Sequence, residues 1–367
     1  MQRIVLFFLC LAPVLLLGQM AEQPPATSAA DRVASFEQHK KLEANSIVNG
    51  VKFRSVGPSV FSGRVVDVAV NENDPSHFYV AYASGGLYKT TNNGITFEPL
   101  FDDEMVITTG AVAADWKNNT VWLGTGESNS SRSSYSGVGV YKSADGGKNW
   151  QHMGLEESHH IGRIIIHPKD PNTVFVAALG HLYSPNEERG VYKTSNGGRT
   201  WEKVLYVNEN AGAVDLIFDP KNANTIYAAT WEKTRRAWNF VESGEGSAIY
   251  KSTDNGKSWK RISTANSGFP ADSGAGRIGL TATLKNGKSI IYAAIDNYNR
   301  RPAEEKEASE DLTKDDLRDM SKEDFLQLDE KKVANYLRSN RFPRKYSAKK
   351  IITMVKKDEI KPLALVE

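Results

Sequence analysis

Three arginine residues recur in the same short sequence context, and their side chains are suited to binding an anion. Arg64, Arg163 and Arg277 each follow a glycine and precede valine or isoleucine. A guanidinium group offers five N–H donors in a planar fork that matches a carboxylate or a phosphate. Three such groups at one place would form an anion site. The alternative is that each arginine pairs with a nearby acid such as Asp67 or Glu127, as clustered guanidinium groups commonly do.

Two carboxylates are candidates for acid–base chemistry. Asp67 follows shortly after the first of these arginines, and Glu127 lies in a Gly-Thr-Gly-Glu-Ser-Asn segment at residues 124–129. Two carboxylates on either side of a glycosidic bond can hydrolyse it. Asp67 and Glu127 are therefore the candidate catalytic residues, and a structural ion pair for each acid is the alternative interpretation.

Aromatic and charged residues are interleaved in four further segments, each of which follows a short apolar run. Side chains mixed in this way suit the binding of a sugar or a peptide. Together with the three arginines, the candidate ligand-binding residues are Tyr135, His181, Tyr183, Trp231, Arg235 and Trp238.

Several kinds of chemistry are not indicated. The only cysteine, Cys10, lies in the apolar N-terminal stretch, so the mature chain offers no thiol or disulfide. His159 and His160 are adjacent and, as neighbours in a strand, would face opposite sides. We therefore predict no metal site, and no motif indicates a cofactor. A formal net charge of +2 gives no reason to expect nucleic acid as a partner.

A repeat with a period of about fifty residues must position these side chains. Its most regular part reads apolar-Tyr-Lys-[Ser/Thr]-x-[Asp/Asn]-x-Gly-x-x-aromatic, with the hydroxyl at Thr90, Ser143, Thr194 and Ser252. The hydroxyl and the Asp or Asn side chain can bond to backbone groups of a turn, in which glycine takes a positive φ. The aromatic residue is expected to begin the next strand. Because two copies carry Asn in place of Asp, the position is interpreted as turn-forming.

Runs rich in β-branched and aromatic residues precede each turn motif and predict strands. Each repeat then has four antiparallel strands, A to D, which is typical of a propeller blade. The predicted fold is an all-β propeller with four full blades, a partial fifth, and a C-terminal α-helical insert. The B–C and D–A loops of a propeller share one face, so the candidate residues are expected there.

The sequence divides into four parts. Residues 1–18 are predicted to be a signal peptide, with an uncleaved anchor as the alternative. A polar leader with one helix near residues 32–42 occupies 19–50, and the blades occupy 51–301. Residues 302–367 form a charged helical segment, interpreted as an insertion between strands B and C of blade five or as a partner-binding module. Its predicted apolar stripe is Phe325, Leu328, Val333, Tyr336 and Leu337.

The repeats resemble the BNR/Asp-box β-propellers, which include sialidases, xyloglucanase-type glycoside hydrolases, a photosystem assembly factor and the sortilin N-terminal domain. The segments at residues 53–58, 62–67 and 124–129 resemble the large exported bacterial proteins described as sortilin N-terminal or BNR-repeat glycosyl hydrolases. Such proteins usually continue for more blades. Here there is no fifth turn motif, so the resemblance implies that a longer parent chain supplies the remaining blades.

Three functions remain open at this point. The first is an exported protein, secreted, periplasmic or at the cell surface, that binds protein or peptide ligands through the loop face. The alternative is a sialidase- or xyloglucanase-like glycoside hydrolase that acts on an extracellular polysaccharide. The third is a structural fragment without independent activity. No stable membrane span is expected once the signal peptide is removed.

Overall fold

The computed structural model describes residues 27–51, 63–299 and 311–366. The predicted signal peptide, the segment at 53–58 and residues 302–310 of the charged segment lie outside this range. The chain divides into two compact units, Met1–Tyr298 and Asn299–Glu367. In the described ranges, no helix combines the length and the apolar character needed to cross a bilayer.

Within the described residues, the first unit forms four antiparallel sheets of four strands. Neighbouring strands of each sheet follow one another along the chain, except that a short hairpin intervenes between the second and third strands of blade four. The strands of blades one and two are β1 (Val65–Val70), β2 (Phe78–Tyr82), β3 (Gly86–Thr90), β4 (Glu98–Pro99), β5 (Thr109–Asp115), β6 (Thr120–Thr125), β7 (Val140–Ser143) and β8 (Gln151–His152). Those of blades three and four are β9 (Ile161–Ile166), β10 (Val174–Ala178), β11 (Gly190–Thr194), β12 (Glu202–Leu205), β13 (Ala211–Phe218), β14 (Ile226–Glu232), β17 (Ala248–Ser252) and β18 (Lys260–Arg261).

The described part of this unit also contains two further strand pairs. A short hairpin, β15 (Thr234–Arg235) with β16 (Phe240–Val241), extends the B–C loop of blade four. The A and B strands of blade five are β19 (Ala275–Lys285) and β20 (Lys288–Asn297). The fourfold strand order in each repeat and the partial fifth blade agree with the sequence prediction.

Innermost strands of consecutive blades contact one another along the series β1, β5, β9, β13 and β19. The buried core lies between blades. One apolar cluster joins Tyr79 of blade one to Leu123 of blade two, and the next joins Trp122 of blade two to Ile164 of blade three. Sheets that bury apolar faces against both neighbours in this radial way form a β-propeller. The predicted fold class is confirmed.

The four turn motifs share one hydrogen-bond pattern. In the second copy, Ser143 Oγ accepts the backbone N–H of Gly147 at 2.8 Å and donates to Asp145 Oδ1 at 2.7 Å. The same oxygen of Asp145 accepts the N–H of Asn149 at 2.9 Å. Gly147 has φ of 94°, a conformation that glycine adopts without a steric penalty. The turn-forming interpretation is confirmed, and the Asn copies use their side-chain oxygen in the same way.

The aromatic residue of the motif ends the turn and precedes strand D, where the sequence had predicted that it begins the strand. Trp150 and Trp201 donate their indole N–H to Leu100 O and Met153 O of the preceding blade, each at 2.7 Å. Trp259 instead bonds within its own turn. The indole rings of Trp150 and Trp201 thereby connect their blades to the preceding ones.

Helices lie on both sides of the blades in the sequence. Near the N-terminus, α1 (Ala29–Ala44) spans the predicted leader helix, and Ser28 caps it. In its described residues, the second unit contains four short α-helices, α2 (Lys314–Arg318), α3 (Lys322–Leu326), α4 (Glu330–Ser339) and α5 (Ala348–Lys356). Phe325, Val333, Tyr336 and Leu337 are buried in a core of this unit, and Leu328 packs against it. The predicted apolar stripe is thus confirmed.

Candidate functional site

Arg64, which precedes β1, is held by a buried acid of blade two. Its Nη2 and Nε atoms donate to Glu127 Oε1 at 2.6 and 3.1 Å. Asn129 Nδ2 donates to the same oxygen at 2.6 Å, and Ser134 Oγ donates to Oε2. Glu127 is 1% exposed. Both of its oxygens are therefore occupied by neighbours inside the protein.

Arg163, in the innermost strand β9, lies between two acids of other blades. Its Nη1 donates to Asp67 Oδ1 at 2.9 Å, and its Nε donates to Asp215 Oδ1 at 3.0 Å. A β-bulge lies immediately before each acid in its strand. Each acid also accepts a backbone N–H from the next innermost strand, that of Val112 or Leu280. Together these bonds connect blade three to blades one and four, blade one to blade two, and blade four to blade five.

Burial and charge pairing have opposite effects on the pKa values in this arrangement. It raises the pKa of Asp67 above its ordinary value, even though Arg163 and the two backbone N–H groups act to lower it. Burial acts to lower the pKa of Arg163, but the carboxylates of Asp67 and Asp215 outweigh it and raise that pKa above its ordinary value. The guanidinium therefore stays charged and serves as a structural counter-ion.

Arg277, in β19, reaches across to blade two. Its Nη1 donates to Asn129 Oδ1 at 2.5 Å, and its guanidinium lies 5.5 Å from the ring centre of Trp231. Burial lowers the pKa of Arg277, and Arg163 lies close enough to lower it as well. Asn129 thus bridges Glu127 and Arg277, a role that no local sequence signal indicated.

The three arginines converge, but the structure gives each of them an internal partner. Two pair with the acids that the alternative interpretation named, Asp67 and Glu127. The third bonds to an amide. Both candidate catalytic carboxylates are occupied by arginine and backbone or side-chain donors, and they belong to different hydrogen-bonded groups. These bonds connect residues of different blades.

The loop residues proposed for ligand binding divide into exposed and buried members. Tyr135, Tyr183 and Trp238 are 61%, 47% and 85% exposed. Tyr135, His181 and Tyr183 line one cavity of about 440 Å³ between the B–C loops of blades two and three. Trp231 is a correction to the prediction, because its ring is 2% exposed and belongs to the core between blades four and five.

A smaller cavity of about 150 Å³ lies beside the first, between the B–C loops of blades three and four. Four cationic side chains line it, and Lys233 among them is 2% exposed. Burial, then Arg189 and Arg235, lower the pKa of Lys233 to about 7. Sequence reasoning missed Lys233. The only available signal was the run of three basic residues within positions 233–236.

Glu157, His159 and His181 bring three possible metal-ligand atoms close together. The sequence suggested that His159 lies in a strand. In the structure it lies just before β9, with φ of 52°. The two histidine Nε2 atoms lie 3.4 and 3.3 Å from Glu157 Oε2. Burial, and then the neighbouring His181, lower the pKa of His159 to about 4, so its imidazole is neutral at pH 7.

The imidazoles of His159 and His181 stack with their centres 3.8 Å apart and their planes inclined by 27°. In addition, Arg32 of α1 donates to Glu157 Oε1 at 2.7 Å. The cluster is an Arg–Glu–His contact that attaches the leader helix to blade three.

A cavity of about 540 Å³ lies at the opposite end of the blades, between the turn motifs of blades two and three. Its lining includes Asp145 and Asn196, whose side chains are already bonded within their own turns. This cavity is larger than the two cavities between the B–C loops. The side chains of Asp145 and Asn196, however, stabilise the backbone of the turns.

The sequence profile of the Sortilin-Vps10 family, described as sortilin, neurotensin receptor 3, matches residues 139–351. A probable oligoxyloglucan-reducing end-specific xyloglucanase of Neosartorya fischeri is 24% identical over 173 residues, which cover 44% of this chain and 20% of the relative. This chain therefore spans about a fifth of the length of that curated relative.

Solved structures of two GH74 proteins are similar to this chain. An ancestral GH74 enzyme is 22% identical, with a TM-score of 0.45 over 66% of this chain and 31% of the other. The GH74 xyloglucanase of Xanthomonas campestris is 18% identical, with a TM-score of 0.45 over 62% and 33%. The family profile covers more than half of the 367 residues. This β-propeller with its Asp-box turns belongs to the Sortilin-Vps10 family.

Proposed function

We propose that this chain is an exported, non-catalytic binding protein that holds a protein or peptide ligand on its loop face. The observation that supports this most is the state of the two candidate catalytic acids. A glycoside hydrolase needs one carboxyl group that can give its proton to the leaving oxygen, and a second one facing the sugar. Here Glu127 and Asp67 both direct their oxygens to donors inside the protein.

The composition of the loop face supports a ligand of protein type. Exposed Tyr135, Tyr183 and Trp238 come from three consecutive blades, and the exposed cations Arg132 and Arg236 lie in the same loops. Tyrosine, tryptophan and arginine are the residues enriched at the energetic centres of protein interfaces. Cationic groups also favour a ligand that carries acidic side chains over a neutral polysaccharide.

A second candidate is hydrolysis of an extracellular polysaccharide, favoured by the match to a probable xyloglucanase. The two functions are separated by one experiment on xyloglucan. The purified chain is incubated with xyloglucan, and new reducing ends are measured for the wild type and for Glu127→Gln. We expect no reducing ends above background from either protein. Release by the wild type that Glu127→Gln abolishes would contradict the binding proposal and support hydrolysis.

Binding itself is tested with a random-peptide phage library panned on the immobilised chain. We expect enriched peptides whose affinity falls at least tenfold in Trp238→Ala and Tyr183→Ala. The matched control is Ile95→Ala, which removes a side chain of similar exposure on the turn-motif side of blade one. An empty selection, or peptides that bind Trp238→Ala as well as they bind the wild type, would overturn the proposal.

A further inference from the structure

The small cavity between the B–C loops of blades three and four is unusual in its charge. Arg189, Lys233, Arg235 and Arg236 line it together with Tyr183 and Asn210. Among the residues that the structure describes, no carboxylate forms a salt bridge with any of these four cations. Glu209 acts on Arg189 only at longer range.

The four cations differ in how many of their hydrogen-bond donors remain available. Arg189 is fully used, because its donors reach Asn186 Oδ1 and four backbone carbonyl groups. It therefore contributes charge to the cavity and no free donor. Arg236 uses one Nη1 donor on Tyr183 O at 3.3 Å.

Lys233 and Arg235 have donors left over. Lys233 Nζ carries three protons when it is charged, and it has one partner in the described structure, His181 O at 3.3 Å. That carbonyl already accepts a bond from Arg189. Arg235 Nε is buried and has no hydrogen-bond partner among the described residues. Both residues line the same cavity.

An arrangement of this kind is costly unless an anion completes it. Burying a cation without a partner is unfavourable because the charge loses its hydration, and folded proteins normally pair or hydrogen-bond such groups. The cavity of about 150 Å³ is several times the roughly 30 Å³ that one water molecule occupies in the liquid. It has room for one small oxyanion.

We propose that this cavity is an anion site that takes one phosphate, sulfate or carboxylate group, with Lys233 and Arg235 as its donors and Arg189 supplying additional charge. The site deepens the proposed function, since an acidic group on the ligand would enter it from the loop face. Oxyanion binding at this cavity can nevertheless be measured without the protein or peptide ligand.

The test uses the full chain and isothermal titration calorimetry at pH 6.5 and constant ionic strength. Inorganic phosphate, sulfate and acetate are titrated separately, so the three arms identify which oxyanion the cavity prefers. We expect saturable binding of at least one of them at one site per chain. We also expect the affinity to fall as the pH rises to 8.5, because Lys233 loses its proton over this range.

Two variants locate the binding. We expect Lys233→Met to weaken the affinity at least tenfold, and Arg235→Gln to weaken it about threefold to tenfold. Lys251→Met, a matched change in β17 of the same blade, should leave it unchanged. Tryptophan fluorescence verifies that each variant is folded, and Arg235→Gln keeps the test decisive if Lys233→Met does not fold.

The inference is overturned if none of the three anions binds the wild type. It is also overturned if binding survives in both cavity variants, or is lost equally in Lys251→Met. Because the readout is a small free anion, an anion site without any peptide ligand would refute the proposed function alone. Peptide binding without anion binding would refute this inference alone.

Discussion

Replacing the buried Lys233 by methionine should stabilise the propeller at neutral pH. Methionine has nearly the same length and volume but carries no charge, so the packing is kept while an uncompensated cation is removed. The backbone carbonyl of His181 keeps its bond from Arg189 after the change. The groups that face Lys233 are Arg189, Arg235 and His160, and none of them supplies a negative charge.

The magnitude follows from the pKa of Lys233, which is lowered from 10.5 to about 7 in the folded protein. Between these two values the unfolded chain binds a proton that the folded chain does not, so stability rises with pH. At about 1.4 kcal/mol per pKa unit, the unfavourable contribution at pH 7 is roughly 4 kcal/mol. About 2 kcal/mol of it should disappear between pH 7 and pH 9.

The assay is urea unfolding of the wild type, Lys233→Met and Lys251→Met at pH 7, 8 and 9, followed by tryptophan fluorescence. All seven tryptophans lie between residues 116 and 259, so the signal reports on the blades and not on the helical unit. Lys233→Met should be more stable than the wild type at pH 7, by an amount that decreases toward pH 9. Lys251→Met should keep the wild-type dependence on pH.

The reasoning would be refuted if Lys233→Met were less stable than the wild type at pH 7. It would also be refuted if the difference between the two proteins did not change with pH. Either result would mean that Lys233 has an acidic partner, or that its amine is well solvated, in the folded protein.

Two further predictions concern the turns and the acid side of the pH range. Ser143→Ala removes a buried acceptor of the Gly147 N–H and should lower the free energy of unfolding, measured in urea titrations, by about 1–3 kcal/mol. The control, Ser133→Ala in an exposed loop, should change it by less than about 0.5 kcal/mol. Equal effects of the two changes would contradict the role of the turn. Burial, and then the nearby Lys233, lower the pKa of His160 to about 3. Between pH 6.5 and pH 3, therefore, the imidazole takes up a proton only in the unfolded chain. The free energy of unfolding thus falls as the pH falls. His160→Asn should reduce the dependence of the unfolding free energy on pH by up to about 1.4 kcal/mol per pH unit, as measured by urea titrations at pH 6, 5 and 4. An unchanged dependence on pH would show that His160 is not buried in its neutral form.

The repeat could be predicted from the sequence because its interactions are local. In each turn motif the hydroxyl, the Asx side chain and the glycine act on one another within four residues, as Ser143, Asp145 and Gly147 do. Strand positions followed from the β-branched runs for the same reason, as in β1 and β2. The placement of the aromatic residue relative to strand D and that of His159 before β9 needed correction.

The candidate site depended on contacts between distant parts of the chain. The sequence identified Arg163 and Arg277 but not Asp215 and Asn129, to which they bond. These contacts depend on how the blades pack around the axis, which brings side chains from distant parts of the chain together. It also could not separate the buried Trp231 from the exposed Trp238, since both lie in one short aromatic and basic segment.

The amino-acid sequence by itself determined the blade, because a short-range pattern of turn bonds and β-branched strands specifies each four-stranded sheet independently of its neighbours. Tertiary structure alone decided which charges are buried and which are paired. Lys233 and Arg64 are both basic residues at a strand end, yet one is enclosed among other cations while the other meets a carboxylate. The physical reason is that desolvation and charge pairing depend on what the neighbouring blades bring within a few ångströms, and no local pattern encodes that distance.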